Sequence, residues 1–359
     1  MKTIRSVILA LLPLALAACG PKPASTTANS PTPASTEEKK LNLYCWSEYI
    51  PQSVIDDFTK ETGIKVSVEN YSSNEEMVTK LLAGGGKYDL IQPSEYTIEA
   101  LIRENQLLAL NPASLSNLAN ISSEFRNMPY DAGNKFSVPY MAGFVGICVN
   151  TDKVKTPIKG FADVFTPAHK GRIVVLDDAR EITSWAFAAD KLDINDVTPE
   201  NLEKVKPMLK KWLPLVKVYD SDSPKTSLKN GDVDLGVVWS GEAALLYKDD
   251  KKFAFVLPSE GSHLFVDSLA IPKLAAHPQN AHLFINYILR PEVSRKISEA
   301  FPYYNPNSAA RALLSAEEIS NPASYPPAQD ITRMQTFRDL GKQAASIDEL
   351  ITQIKAGGK

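Results

Sequence analysis

The sequence predicts an α/β fold built as two successive strand–helix series with a cleft between them. Short apolar segments alternate with stretches of helical spacing from residue 41 to about residue 301. The alternation occurs twice, with an apolar strand, Phe-Val-Gly-Ile-Cys-Val at 144–149, placed between the two series. The 359 residues, 44% hydrophobic and 23% charged, suit a globular chain of two domains or one large one.

The first 18 residues read as an export signal. Lys2 and Arg5 precede an apolar run from Val7 to Ala18, broken by Pro13 and too short to span a bilayer. Leu16-Ala17-Ala18-Cys19 resembles a lipobox, which would lipidate Cys19 and make it the mature N-terminus. Residues 19–40 are rich in Pro, Ala, Ser and Thr and carry too little apolar bulk to order themselves, so they are expected to form a flexible tether.

Strand pattern begins at Leu41. Leu41, Leu43 and Cys45 alternate with other residues until Trp46-Ser47-Glu48-Tyr49 interrupts them before Pro51. Residues 53–62 are helical, with Val54, Ile55 and Phe58 on one face and Gly63 as the stop. A strand at 64–68, a helix at 75–83 stopped by three glycines, a buried strand at 89–91 and a helix at 97–105 complete a βαβαβα run, which favours a mostly parallel sheet. The glycine run lacks the Lys-Ser/Thr of a phosphate loop.

Gly143 and Gly146 beside the central strand suggest a bend or a close backbone approach. The second series has strands at 173–176, 216–219, 235–239 and 265–271, and helices at 179–191, 199–212 and 243–247. Helical spacing continues at 278–289, 291–301 and 309–314, and in the tail from Ile331 to Ile354. Trp185 and Trp212 fall in helical patterns and read as core.

In open α/β sheets ligands bind at the carboxyl ends of strands. Here those ends carry Trp46, Ser47, Glu48 and Tyr49; Ser94 and Tyr96; Asp178 and Glu181; Trp239 and Glu242; and Phe265 and Asp267. Aromatics and carboxylates recur, and only Arg180 intervenes, with helical geometry pointing it away from Asp178 and Glu181. Acids would cancel the positive ends of the helices, and flat rings attract cations by ~0.5–2 kcal/mol each. The chemistry suits a slim organic cation, charged at its ends and apolar between. Each position has a plainer alternative. Asp178 and Glu181 could form a capping box, Trp239 could be core, and Asp267 could pair with a surface lysine.

Catalytic, metal and cofactor signatures are missing. The four histidines have no metal spacing, and neither Gly-x-Ser-x-Gly nor Gly-x-Gly-x-x-Gly occurs. Cys45 has no basic neighbour in sequence to lower its pKa, so a non-enzymatic protein without cofactor is expected. Cys45 and Cys148 could pair, although two buried thiols are the plainer outcome. Without the leader, 37 Lys and Arg stand against 42 Asp and Glu, a charge of −5 that offers nothing to nucleic acid.

Seven blocks in order carry a resemblance: Tyr-Cys-Trp-Ser-Glu-Tyr-Ile-Pro, Phe-Thr-Lys-Glu-Thr-Gly-Ile-Lys-Val, Tyr-Asp-Leu-Ile-Gln-Pro-Ser, Leu-Asp-Asp-Ala-Arg-Glu, Val-Val-Trp-Ser-Gly, Asp-Ser-Leu-Ala-Ile-Pro and Ile-Leu-Arg-Pro-Glu-Val. From Leu41 onward the chain resembles the periplasmic spermidine/putrescine-binding proteins of polyamine ABC importers. The resemblance implies the two-lobed periplasmic-binding-protein fold (type II) with two crossover strands. Residues 41–143 and 268–312 would form one lobe, and 144–267 and 313–359 the other. It further implies a monomer in the periplasm, touching the membrane only through its lipid and delivering a polyamine to a membrane permease.

Family ligand contacts carry over onto Trp46, Ser47, Glu48, Tyr49, Ser94, Tyr96, Asp178, Glu181, Trp239, Asp267 and Tyr303. Trp46, Trp239 and Tyr303 would wall the methylenes, and the acids would take the ammonium groups. Phe265 and Glu242 match putrescine-preferring members, whereas Glu48 and Tyr96 look like the spermidine type, so the preferred polyamine stays open. A binding protein of this fold for another small cationic or neutral solute is the rival reading. Binding is expected to weaken below about pH 5 as carboxylates protonate.

Overall fold

The strand–helix alternation appears in three dimensions as a single path of hydrogen-bonded strands. The computed structural model describes residues 37–357; the export signal, Cys19 and residues 20–36 of the tether lie outside them. The strands are β1 (Lys40–Trp46), β2 (Lys65–Tyr71), β3 (Leu90–Ile91), β4 (Ser137–Asn150), β5 (Ile173–Val175), β6 (Val216–Tyr219), β7 (Leu235–Trp239), β8 (Phe253–Val256) and β9 (Leu264–Ala270). They run in the order β2-β1-β3-β9-β4-β7-β5-β6, with β8 also on β4. Pairs β1–β2, β1–β3, β5–β6 and β5–β7 are parallel, whereas β9 and β4 run antiparallel to their neighbours.

The principal helices are α1 (Gln52–Thr62), α2 (Asn74–Ala83), α3 (Glu95–Arg103), α4 (Ala179–Ala189), α5 (Pro199–Trp212), α6 (Lys225–Lys229), α7 (Ser240–Asp249), α8 (Pro278–Ile288), α9 (Pro291–Ala300) and α10 (Ala344–Gly357). Local chemistry explains their ends. Gly63 caps α1 at φ 73°, a left-handed conformation that glycine adopts without penalty. The Ser73 side chain accepts from the Glu76 amide at 3.1 Å to start α2. Thr198 caps α5, and Pro199 fits its first turn.

The two largest hydrophobic clusters mark the two lobes. In the first, Leu41 and Leu43 of β1 pack with Phe58 of α1 and Phe284 of α8, whose rings meet edge to face at 4.9 Å. In the second, Ile147 and Val149 of β4 pack with Trp185 of α4, Trp212 of α5 and Ile351 of α10. The buried tryptophans are core, as their helical pattern indicates.

β4 belongs to both lobes. It pairs with β9 up to Phe144 and with β7 from Val145 onward. Close approach accounts for both glycines beside that junction. A Cβ on Gly143 would lie 2.3 Å from the Phe265 ring, and one on Gly146 would lie 2.3 Å from the Phe255 ring.

The structure departs from the sequence pattern in several places. The sheet is not mostly parallel, since four of its eight strand pairs are antiparallel. β4 begins at Ser137 rather than Phe144, and β8 is a strand the pattern did not mark. Tyr44 is fully buried, so β1 is covered on both faces rather than alternating. Ser240-Gly241-Glu242 is the first turn of α7 and not a loop ahead of it. The tail forms its long helix only from Ala344; between Thr332 and Leu340 it is not helical, and Gln335 bridges to His263 just ahead of β9. At the other end, residues 37–40 leave the tether, since Glu37 accepts from the amides of Gln279 and Asn280 at 3.1 Å each.

Candidate ligand-binding site

Between the lobes lies a cleft of about 870 Å³, counted with its open mouth. It is lined by Trp46, Ser47, Tyr49, Ser94, Tyr96, Asp178, Glu181, Trp239, Glu242, Phe265, Asp267 and Tyr303, so twelve of the thirteen residues expected from sequence converge there. Glu48 stands at the rim, with 56% of its side chain exposed.

Asp267 is the buried anion of the cleft, 3% exposed. β9 carries it, and two hydroxyls converge on it: Tyr49 donates at 2.5 Å and Ser94 at 2.7 Å. No lysine pairs with it among the described residues. Loss of solvation pushes its carboxyl up to about 7, against the pull of those two hydrogen bonds. Around it the rings of Tyr49, Tyr303, Phe265 and Trp239 touch in sequence at centroid distances of 5.3, 5.9 and 5.4 Å. Gly241 makes room for this wall, as a Cβ there would sit 2.3 Å from the Tyr303 ring.

The positive φ of Glu48 (50°) tightens the turn after β1. That turn sends Ser47 and Glu48 across the cleft. Ser47 donates to Asp222 at 2.7 Å, and Glu48 accepts from Lys225 at 2.8 Å. At the opposite end Asp178 caps α4 by accepting from the Glu181 amide at 2.9 Å. This is half of the capping box that the spacing suggested, since the Glu181 carboxylate turns elsewhere. Burial raises Asp178 to about 6, and the Glu181 charge adds to the shift.

Glu181 requires a correction. Its Oε1 accepts from His263 Nδ1 at 2.6 Å, and His263 Nε2 donates to Glu95 at 2.8 Å, with all three groups at most 3% exposed. Desolvation disfavours the imidazolium, but the two glutamates outweigh it and raise His263 to about 9. Glu181 is therefore not simply an open ammonium acceptor; only its buried Oε2 lacks a partner among the described residues.

Basic groups are also less scarce than the strand ends suggested. Lys225 of α6 binds Glu242 at 2.9 Å as well as Glu48. His263 and Lys225 both escaped the sequence reading. The sequence does carry a signal for Lys225, because Asp220, Asp222 and Lys225 follow the end of β6, one more strand end with charged residues. Arg180 does point away: it lies between the Phe337 and Tyr96 rings, 4.1 and 4.7 Å from their centroids, and donates to the Arg338 carbonyl.

Cys45 and Cys148 are unpaired and buried, and burial pushes each thiol up to about 12. That leaves no nucleophilic thiolate at neutral pH. Among the described residues no group of three His, Cys, Asp or Glu has the arrangement of a metal site, and no helix is long and apolar enough to cross a membrane.

Comparison with known proteins gives this geometry a context. The family model described as bacterial extracellular solute-binding protein matches residues 53–327. The spermidine/putrescine-binding periplasmic protein of Salmonella typhimurium is 37% identical over 326 residues, covering 90% of this chain and 93% of that one. The solved spermidine/putrescine ABC transporter substrate-binding protein PotD of Streptococcus pneumoniae superposes with a TM-score of 0.78 at 33% identity, covering 90% of this chain and all of the other. The TpPotD lipoprotein of Treponema pallidum gives 0.79 at 26% identity, over 88% and 99% of the two chains. The chain belongs to the bacterial extracellular solute-binding proteins, among relatives named spermidine/putrescine-binding periplasmic proteins.

Proposed function

We propose that this protein binds a polyamine, putrescine or spermidine, between its lobes in the periplasm and delivers it to an ABC permease. The observation that carries the reading is Asp267: a buried carboxylate that meets only hydroxyls, set against a wall of four aromatic rings. An alkylammonium supplies both the missing cation and the methylenes for that wall. The names of the relatives support the same ligand class. Eleven of the thirteen residues expected from sequence are proposed as its contacts, and Glu48 and Glu242 are proposed to act through Lys225.

A lipid on Cys19 would tether the monomer to the membrane surface, with the Treponema lipoprotein as a parallel. We assign residues 41–143 with 268–312 to one lobe and 144–267 with 313–359 to the other; the exchange of β4 partners between Phe144 and Val145 supports that boundary.

Titration calorimetry with putrescine, spermidine, spermine and lysine tests the reading. Heat is expected from a polyamine and none from lysine, whose carboxylate would meet Asp267. Binding of lysine, or of no amine, would sink it.

The pH window differs from the one expected for ordinary carboxylates. A cation binds ionised Asp267, so affinity should be nearly full at about pH 8, half lost near pH 7, and fall further as the carboxyl takes up its proton. Between pH 8 and pH 6 the fall should be about tenfold, one proton per ligand. A flat profile down to pH 5 would contradict the raised carboxyl.

A further inference from the structure

Three acidic stations follow one another along the cleft. Asp178 and Glu181 stand at one end. Tyr96 lies beside Asp178, and Asn74 donates to both the Tyr96 and Ser94 hydroxyls, at 2.9 and 3.1 Å. Ser94 in turn donates to Asp267, the middle station. Tyr49 and Tyr303 continue from Asp267 toward Glu242 and Glu48, the third station, and Tyr303 feels the charges of all three acids.

The third station already holds an ammonium. Lys225 Nζ lies 2.8 Å from Glu48 and 2.9 and 3.0 Å from the two Glu242 oxygens, with Ser223 at 3.2 Å. Its side chain is 20% exposed and that of Glu242 is 7% exposed, so the bond to Glu242 is not a loose surface pair. A primary ammonium on an alkyl stem between two carboxylates is what the end of a polyamine would present there. By contrast, Asp178 and Asp267 are hydrogen-bonded only to neutral donors, and Glu181 keeps one free buried oxygen.

We infer that Lys225 acts as a built-in terminal ammonium that closes the third station, leaving two stations and selecting a diamine over longer polyamines. The inference rests on the polyamine reading above and adds the length of the ligand. A triamine would have to displace Lys225 into the rim or leave one ammonium without a carboxylate. Removing the lysine should reopen the station, because Glu48 and Glu242 would then both be free to accept a ligand cation.

The test is a calorimetric series of putrescine, cadaverine, spermidine and spermine on the wild-type protein and on Lys225→Met, which keeps the apolar stem. Thermal melts check that the variant folds. The wild type should prefer putrescine to spermidine by at least tenfold. Lys225→Met should narrow that ratio at least tenfold, chiefly through tighter spermidine binding. A wild type that prefers spermidine, whatever the variant does, overturns the inference and leaves the polyamine reading standing. So does a ratio unchanged in Lys225→Met. If the wild type binds none of the four amines, the polyamine reading itself falls, and the inference with it.

Discussion

Replacing His263 with leucine should destabilise the protein by about 3–5 kcal/mol, the usual cost of removing one partner from a buried ionic cluster. His263 is wedged between Glu95 and Glu181 and stacks on Phe337 at 3.7 Å. Leucine would keep much of the packing but strand two carboxylates in a dry site. The pH dependence distinguishes this from a simple packing defect. With a folded pKa of about 9, above the ordinary 6.5, His263 contributes stability that is complete below pH 6.5 and is lost as pH rises through about 9. The gap between variant and wild type should therefore be widest below about pH 6.5 and narrow as the pH rises through about 9. Urea unfolding at pH 6 and 9.5 measures it, and an equal gap at both would rule out the charge cluster as the cause.

Asp267→Asn should weaken polyamine binding at least tenfold, or ~1.4 kcal/mol, while leaving the fold intact. The amide matches the carboxylate in size. It removes the charge and one of the two acceptors that serve Tyr49 and Ser94. Because wild-type Asp267 is raised to about 7, the difference should be large at pH 8 and smaller at pH 6, where the native residue is itself largely protonated. The variant should also lose most of the slope of affinity between those two pH values. Unchanged affinity at pH 8 would remove Asp267 from the site.

Much of this architecture was legible in the residues because local and global signals agree. Pro199–Trp212, Val216–Tyr219 and Leu235–Trp239 have the bounds that periodicity gives them, each closed by a cap, a turn or a change of period. The strand ends named the lining of the cleft for a geometric reason: several strands point their carboxyl ends at one space. The misses are equally physical. Ile331, Met334, Phe337 and Leu340 are spaced like a helix face, yet Phe337 is drawn under His263 and Arg180, and long-range pairing overrides the period. His263 precedes β9, and no acid near it in sequence marks it as a counter-ion, because its partners Glu181 and Glu95 are 82 and 168 positions away. The partners of Glu181 and Glu242, at positions 263 and 225, are distant enough in the chain that no spacing rule links them.

The long strand shared by the lobes has a mechanical consequence. Over Ser137–Asn150 it is buried at every position, and it changes partners without interruption beside two glycines held under phenylalanine rings. One unbroken stretch of backbone therefore ties the halves together, so any opening of the cleft has to bend or twist that ribbon rather than part the halves.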